Sequence, residues 1–237
     1  MLQPDDRSVT VDMRDSAYRI SPELTANPCM EIPAELAAYL PIAEAAATAN
    51  LHKALAVNGP LIQSLTKQLA NTMSAQVPAK NRPVRIRHLA SQWSQALTPF
   101  TACSSGCSHC CNQDTVLPQS EALLISRKIG LPMATPATAL ELGTINARIV
   151  FLGQPCTFLK EGACSIYEHR PLVCRTLISM DSTDTLCRIV PGVPLPVPYA
   201  NTQMLQAAFA QAHQDEPWAD IREWFPPRGE SIGPKPT

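Results

Sequence analysis

Aromatic side chains make up only 5% of this 237-residue chain. Their scarcity weakens any model in which successive bases of a single-stranded nucleic acid stack on the protein. An excess of either charge is also missing: 19 Lys and Arg against 20 Asp and Glu leave a net charge of −1. That balance gives no electrostatic footprint for nucleic acid. The basic residues are scattered apart from RPVRIRH at 82–88, which reads as the solvated start of a helix rather than a phosphate track. No stretch approaches the ~20 apolar residues that span a bilayer, and the opening MLQPDDRSVTVDMRD lacks the apolar core of a secretory signal. These absences lead us to expect a cytoplasmic protein, with no nucleic-acid or membrane partner, whose thiols stay reduced. Enzyme signatures are missing too. There is no G-x-G-x-x-G loop after a strand, no alternating strand–helix pattern for a Rossmann-type domain, no H-E-x-x-H, and no evident Ser/His/Asp set. Catalytic residues are therefore left unassigned.

Cysteine, by contrast, is concentrated. Eight of the nine fall between residues 103 and 187. Cys103, Cys107, Cys110 and Cys111 read C-x3-C-x2-C-C in CSSGCSHCC, and Cys156, Cys164, Cys174 and Cys187 follow at wider intervals. In a reducing compartment this density points to soft-metal ligation rather than to four disulfides. Gaps of two or three residues let the chain fold back in a knuckle with both sulfurs facing one ion. Ser104, Ser105, Gly106 and Ser108 leave backbone N–H groups free to point at the thiolates. Adjacent side chains diverge, so Cys110 and Cys111 suit either two metals or one ligand beside a supporting thiol. Eight thiols suffice for two zinc sites of four cysteines each, or for one iron–sulfur cluster with four to spare. The cofactor expected is zinc or iron, an iron–sulfur cluster included. Spacing alone does not separate them, although the adjacent cysteines tilt the balance toward iron–sulfur for at least one site.

A four-thiolate zinc or 4Fe–4S site carries a charge of about −2, so cations belong nearby. Lys160, His169, Arg170, Arg175 and Arg188 lie in the second cysteine segment, either to neutralise that charge or as ordinary surface residues. His109 sits inside the first motif and is read as a supporting or exposed residue rather than a ligand. Glu161, Glu168, Asp181 and Asp184 read as solvated carboxylates, and the isolated Cys29 as a small core residue.

The fold class expected is mainly α, a helical scaffold around an irregular cysteine-rich metal-binding core. Residues 1–31 read as an extended or loosely ordered segment, 32–98 as a helical region, 99–190 as the cysteine-cluster domain, and 191–237 as a proline-rich strap, C-terminal helices and tail. Ile32 to Gln76 is alanine-rich and helical, with a break expected at Asn58-Gly59-Pro60. Leu61, Leu65, Leu69 and Met73 then mark a second helix, and Ile86, Leu89, Trp93 and Leu97 line a third. Further helices are expected over 118–129, from Thr135 to Val150, over 201–213 and over 217–225. Turns and short helices are expected in 151–190, and an extended strap in VPGVPLPVP at 190–198.

The cysteine pattern resembles the CxxCxxCC cysteine-cluster family, the YkgJ-like group described as zinc- or iron-chelating. Cys103, Cys107, Cys110 and Cys111 match its first motif, with x3 in place of x2 in the first gap. Cys156, Phe158, Leu159 and Cys164 match its C-x-F-L…C element. Ile166, Tyr167, Arg170, Pro171, Cys174 and Arg175 match its I-Y-x-x-R-P-x-x-C-R element. The resemblance implies a metal ion as partner. It also brings in an alternative, because a flagellin lysine methylase carries a related motif: an Fe–S redox or methyltransferase-like enzyme. A protein partner is not identified by it.

Overall fold

Alanine and unbranched side chains favour a long helix at the start of the scaffold. In the computed structural model, which describes residues 31–137, 139, 141 and 151–227, they form α1, Ala34–Met73, a single 40-residue helix. The extended segment expected before residue 31, Cys29, most of the helix expected from Thr135 to Val150, and the C-terminal tail lie outside the described residues.

The break expected at Asn58-Gly59-Pro60 does not occur, because α1 runs through both Pro41 and Pro60. Both prolines are exposed, and so are Ala37 and Ala56, whose carbonyls lose their helical partners. Water can satisfy those carbonyls. Gly59 stays helical rather than entering the left-handed region, and the Asn58 amide donates to the Ala96 carbonyl at 2.8 Å instead of capping α1. Tertiary packing of both halves thus outweighs the two missing bonds.

Helix α2, Arg82–Leu97, packs along α1 with Ile86, Leu89 and Ala90 fully buried. After the first cysteine segment come strand β1, Val116–Pro118, and helix α3, Gln119–Ile129. Helix α3 ends as its sequence predicts, with Gly130 at φ 68°. Strands β2, Leu159–Lys160, and β3, Ala163–Cys164, form a minimal hairpin, followed by α4, Leu172–Thr176. The proline strap bridges back onto the chain through Ser179 and Tyr199, and α5, Gln203–Ala212, follows it.

Residues 217–225 are not one helix. Trp218–Asp220 is strand β4, paired antiparallel with β1, and only Ile221–Trp224 is helical, as α6. The alternation of a strand explains the outcome. Trp218 enters one core with Leu65, Leu89, Leu172 and Phe209, while its neighbour Ala219 enters another with Leu117, Ile125, Phe158 and Trp224. A third core joins Ala47 and Ala54 of α1 to Leu97, Ile178 and Met180. Cys156 and Cys164 border the second core, and Cys103 the third. The architecture is mainly α, and no helix among the described residues is long and apolar enough to cross a membrane.

Candidate metal centre

The first cysteine segment folds as a turn followed by a short 3₁₀ helix, His109–Asn112. Gly106 makes the turn with φ 96°. A Cβ there would meet nothing within 4 Å, so backbone conformation, not space, demands glycine. In the second segment Glu161 and Gly162 both take positive φ, 50° and 77°, which reverses the β2–β3 hairpin in two residues. Pro171 then caps α4, which carries Cys174, and Cys187 ends a 3₁₀ turn, Thr185–Cys187. The two segments dock through their backbones. Cys156 N–H donates to the Cys111 carbonyl and Gly153 N–H to the Asn112 carbonyl, both at 2.7 Å.

All eight cysteines of 103–187 are free thiols, each partly buried. Three accept a backbone N–H from two residues ahead: Cys107 from His109, Cys156 from Phe158, and Cys164 from Ile166. Such donors favour thiolate over thiol. Burial is the larger effect and pushes all three thiols up. It does the same to Cys103 and Cys174, and raises Cys187 to about 12. Mutual repulsion adds to it along two sets of neighbours. Cys103, Cys107 and Cys110 bear on Cys187, whereas Cys110, Cys156 and Cys164 bear on Cys174. The adjacent pair lies where the sets meet: a hydrogen bond from Cys111 lowers Cys110 to about 7, and Cys111 is itself held protonated. Among the described residues, no three His, Cys, Asp or Glu side chains converge tightly enough, as they stand, to hold a metal ion.

Residues 102–191 match a family model, CxxCxxCC, described as a "putative zinc- or iron-chelating domain". No curated protein and no solved structure matched the chain in the other two comparisons. The match covers all eight clustered cysteines, and its description supports metal binding.

Three arginines bear on the matched stretch in different ways. Arg170 stacks over the Tyr167 ring at 4.1 Å and lowers the thiol pKa of Cys110, Cys164 and Cys174. Its Nε is buried without a hydrogen-bond partner. Arg175 instead braces the backbone, donating to the carbonyls of Arg170 and Glu168 and to the Ser91 hydroxyl. Burial holds its pKa down at about 10. Arg222, from α6 and outside the matched stretch, donates to the carbonyls of Cys111, Gln113, Gln154 and Pro155. Its charge also lowers the Cys156 thiol. Lys160 and Arg188 are surface residues, and Arg188 pairs with Asp184 at 3.1 Å.

The scaffold holds the matched stretch with further polar clamps. Arg87 of α2 is not solvated at a helix start: it pairs with the buried Glu121 at 2.7 Å and donates to the carbonyls of His169 and Arg170. Glu121 also accepts from Leu172 N–H, at the start of the helix that carries Cys174. Burial pushes its carboxyl up, and its Oε2 has no partner. Asp181 is fully buried rather than solvated, and accepts from the Tyr39 hydroxyl of α1. Asn50 donates to the Met180 carbonyl, and Ala102 N–H to that of Asp181, which sets Cys103 beside Ser179. Glu161 and Glu168 are exposed as expected. His109 bonds Asp184 at 2.7 Å near the surface and pulls its carboxyl down.

Sequence reasoning missed Arg222, Glu121, Tyr39 and Asn50. Two of these left a signal. Arg222 is the one basic residue in WADIREWF, flanked by Asp220 and Glu223 among large apolar side chains, and Glu121 shares a helical face with Ile125. Nothing in the sequence marked Tyr39 or Asn50.

Proposed function

We propose that residues 99–190 form a unit that holds zinc or iron through Cys103, Cys107, Cys110, Cys111, Cys156, Cys164, Cys174 and Cys187. The observation that carries this reading is that two distant segments bring eight free thiols near enough to bear on one another's ionisation, with cationic side chains set against them. The donors fit such an ion chemically. Thiolate sulfur suits zinc, iron or an iron–sulfur cluster, and backbone N–H groups already point at three of the sulfurs. The buried, unpartnered Nε of Arg170 is the kind of donor that an anionic thiolate centre satisfies.

The neighbour sets support two groups, with Cys103, Cys107 and Cys187 in one, Cys111, Cys156, Cys164 and Cys174 in the other, and Cys110 adjoining both. Bound there, zinc or iron would supply the positive charge that keeps the thiols ionised and would cross-link the two segments. The residues themselves do the rest. Burial against the second and third cores limits water around the sulfurs that border them, and Arg170 and Arg222 offset the thiolate charge. Without the ion, burial and mutual repulsion favour neutral thiols, which have no cause to converge.

Anaerobic purification followed by an absorption spectrum and analysis for iron, zinc and acid-labile sulfide tests the reading and names the ion. Broad absorbance near ~400 nm with matched iron and sulfide identifies an iron–sulfur centre. A colourless protein with stoichiometric zinc identifies thiolate zinc sites. Protein that takes up neither metal after reduction and reconstitution refutes the proposal.

A further inference from the structure

Arg222 is an unusual neighbour for a thiol cluster because it lies beyond the CxxCxxCC match and touches no sulfur through a hydrogen bond. It is buried to 6% exposure. Its guanidinium is held by Asp220, at 2.9 Å and 3.1 Å from the two carboxylate oxygens. Asp220 is fixed in turn: it accepts Thr115 N–H at 2.6 Å and caps α6. The remaining donors reach two carbonyls from each side of the junction. Cys111 and Gln113 belong to the first cysteine segment, Gln154 and Pro155 to the second, and the closest contact is Gln154 at 2.6 Å. The Cys156 to Cys111 backbone bond lies at the same junction. No lysine could repeat this arrangement, since one ammonium offers three donors from a point and the guanidinium offers five in a plane.

We infer that Arg222 is a positioning residue for the metal centre: it staples the two cysteine segments together so that Cys111 and Cys156 face a common ion. This inference rests on the metal-binding reading above. It makes strand β4 and helix α6 part of the working site, although they lie outside the matched stretch, and it predicts an asymmetric failure. Loss of the staple separates Cys111 from Cys156 while Cys103 and Cys187, both bonded to Ser179, and their neighbour Cys107 keep their places.

The test compares the full chain with Arg222→Gln, Arg222→Lys and Trp224→Phe. The last, in the same helix as Arg222, loses the indole bond to the Leu117 carbonyl of β1 but no hydrogen bond to either cysteine segment. Each protein is loaded with zinc and pulsed with a thiol alkylating reagent, and the labelled cysteines are read by mass spectrometry. Arg222→Gln should weaken zinc binding about 10–100-fold, the range for residues that orient ligands. It should also expose Cys111 and Cys156 ahead of Cys103, Cys107 and Cys187. Arg222→Lys should resemble Gln more than wild type. Wild-type affinity in Arg222→Gln, or labelling spread evenly over all eight cysteines as in a Trp224→Phe protein, would overturn the inference. Amide exchange in the chelator-treated chain separates this outcome from failure of the metal reading. Faster exchange at Gly153 and Cys156 in Arg222→Gln supports the staple even where wild type binds no zinc, and unchanged exchange rejects it.

Discussion

Replacing Glu121 by alanine should cost more stability than its place on an outer helix suggests. Its Oε1 accepts from Arg87 at 2.7 Å and from Leu172 N–H at 2.9 Å, and the residue is 4% exposed. Truncation strands a mostly buried guanidinium, its side chain 15% exposed, and a buried backbone donor together. Breaking a buried pair from one side costs about 3–5 kcal/mol, and an unsatisfied donor about 1–3 kcal/mol. Arg87 keeps its bonds to the His169 and Arg170 carbonyls, so the expected total is about 3–5 kcal/mol rather than the sum. Glu121→Gln should lose only about 1–2 kcal/mol, because Oε1 survives as an acceptor and what is lost is the charge assistance to Arg87. Arg87→Ala with Glu121→Ala should be less damaging than the two single changes added together, by at least about 1 kcal/mol. Urea unfolding of the metal-free proteins gives all four values. A Glu121→Ala loss below about 1 kcal/mol, or additivity within about 0.3 kcal/mol, would refute this reasoning. The clamp also places Arg170 and Cys174, so a destabilised variant should bind zinc more weakly as well.

Other predictions concern pH, the long helix and the surface histidine. In the metal-free protein burial raises most of the thiols, Cys187 to about 12, above the ordinary value of 9.0. The folded state therefore holds these protons more tightly than the unfolded chain. The associated stability is intact below pH 9 and is lost as pH rises from there toward about 12. Metal-loaded protein should behave in the opposite sense, losing its ion as pH falls and protons compete for sulfur. Urea midpoints between about pH 7 and pH 10.5, with and without chelator, check both directions. Gly59→Ala should stabilise α1 by about 0.5–1 kcal/mol, since the site is helical and an added Cβ meets nothing within 4 Å; a fall in Tm contradicts that. His109→Ala should leave metal stoichiometry unchanged, because its Nε2 bonds Asp184 near the surface. Loss of a bound ion in that variant would make the imidazole a ligand.

The metal chemistry was legible in the sequence because local spacing encodes it: CSSGCSHCC carries four thiols within nine residues, and CTFLKEGACSIYEHRPLVCR three within nineteen. Helix α3 was legible for the same reason, its face and its Gly130 stop both being local. What escaped was set at long range. Pro60 looked like a break until Ala54 and Leu65, on either side of it, were held in two different cores. Trp218 read as helical until its backbone paired with Pro118, a hundred residues earlier in the chain. The Asp220-x-x-Glu223 capping box did mark the true start of α6. Arg222 and Glu121 bind carbonyls and amides, which every residue offers, so no side-chain pattern could announce their partners. Basic residues at 82–88 divided by burial, with Arg87 turned inward and Arg85 and His88 exposed.

Counting protected thiols against bound metal in the native chain tests the eight-cysteine centre most directly. The reduced protein is loaded anaerobically, its zinc and iron are measured per chain, and every cysteine is alkylated before and after chelation. Metal at stoichiometric level, with Cys103, Cys107, Cys110, Cys111, Cys156, Cys164, Cys174 and Cys187 all shielded until the chelator is added, is the expected result. Metal retained while several of these cysteines label freely, or eight reactive thiols and no metal, would contradict it.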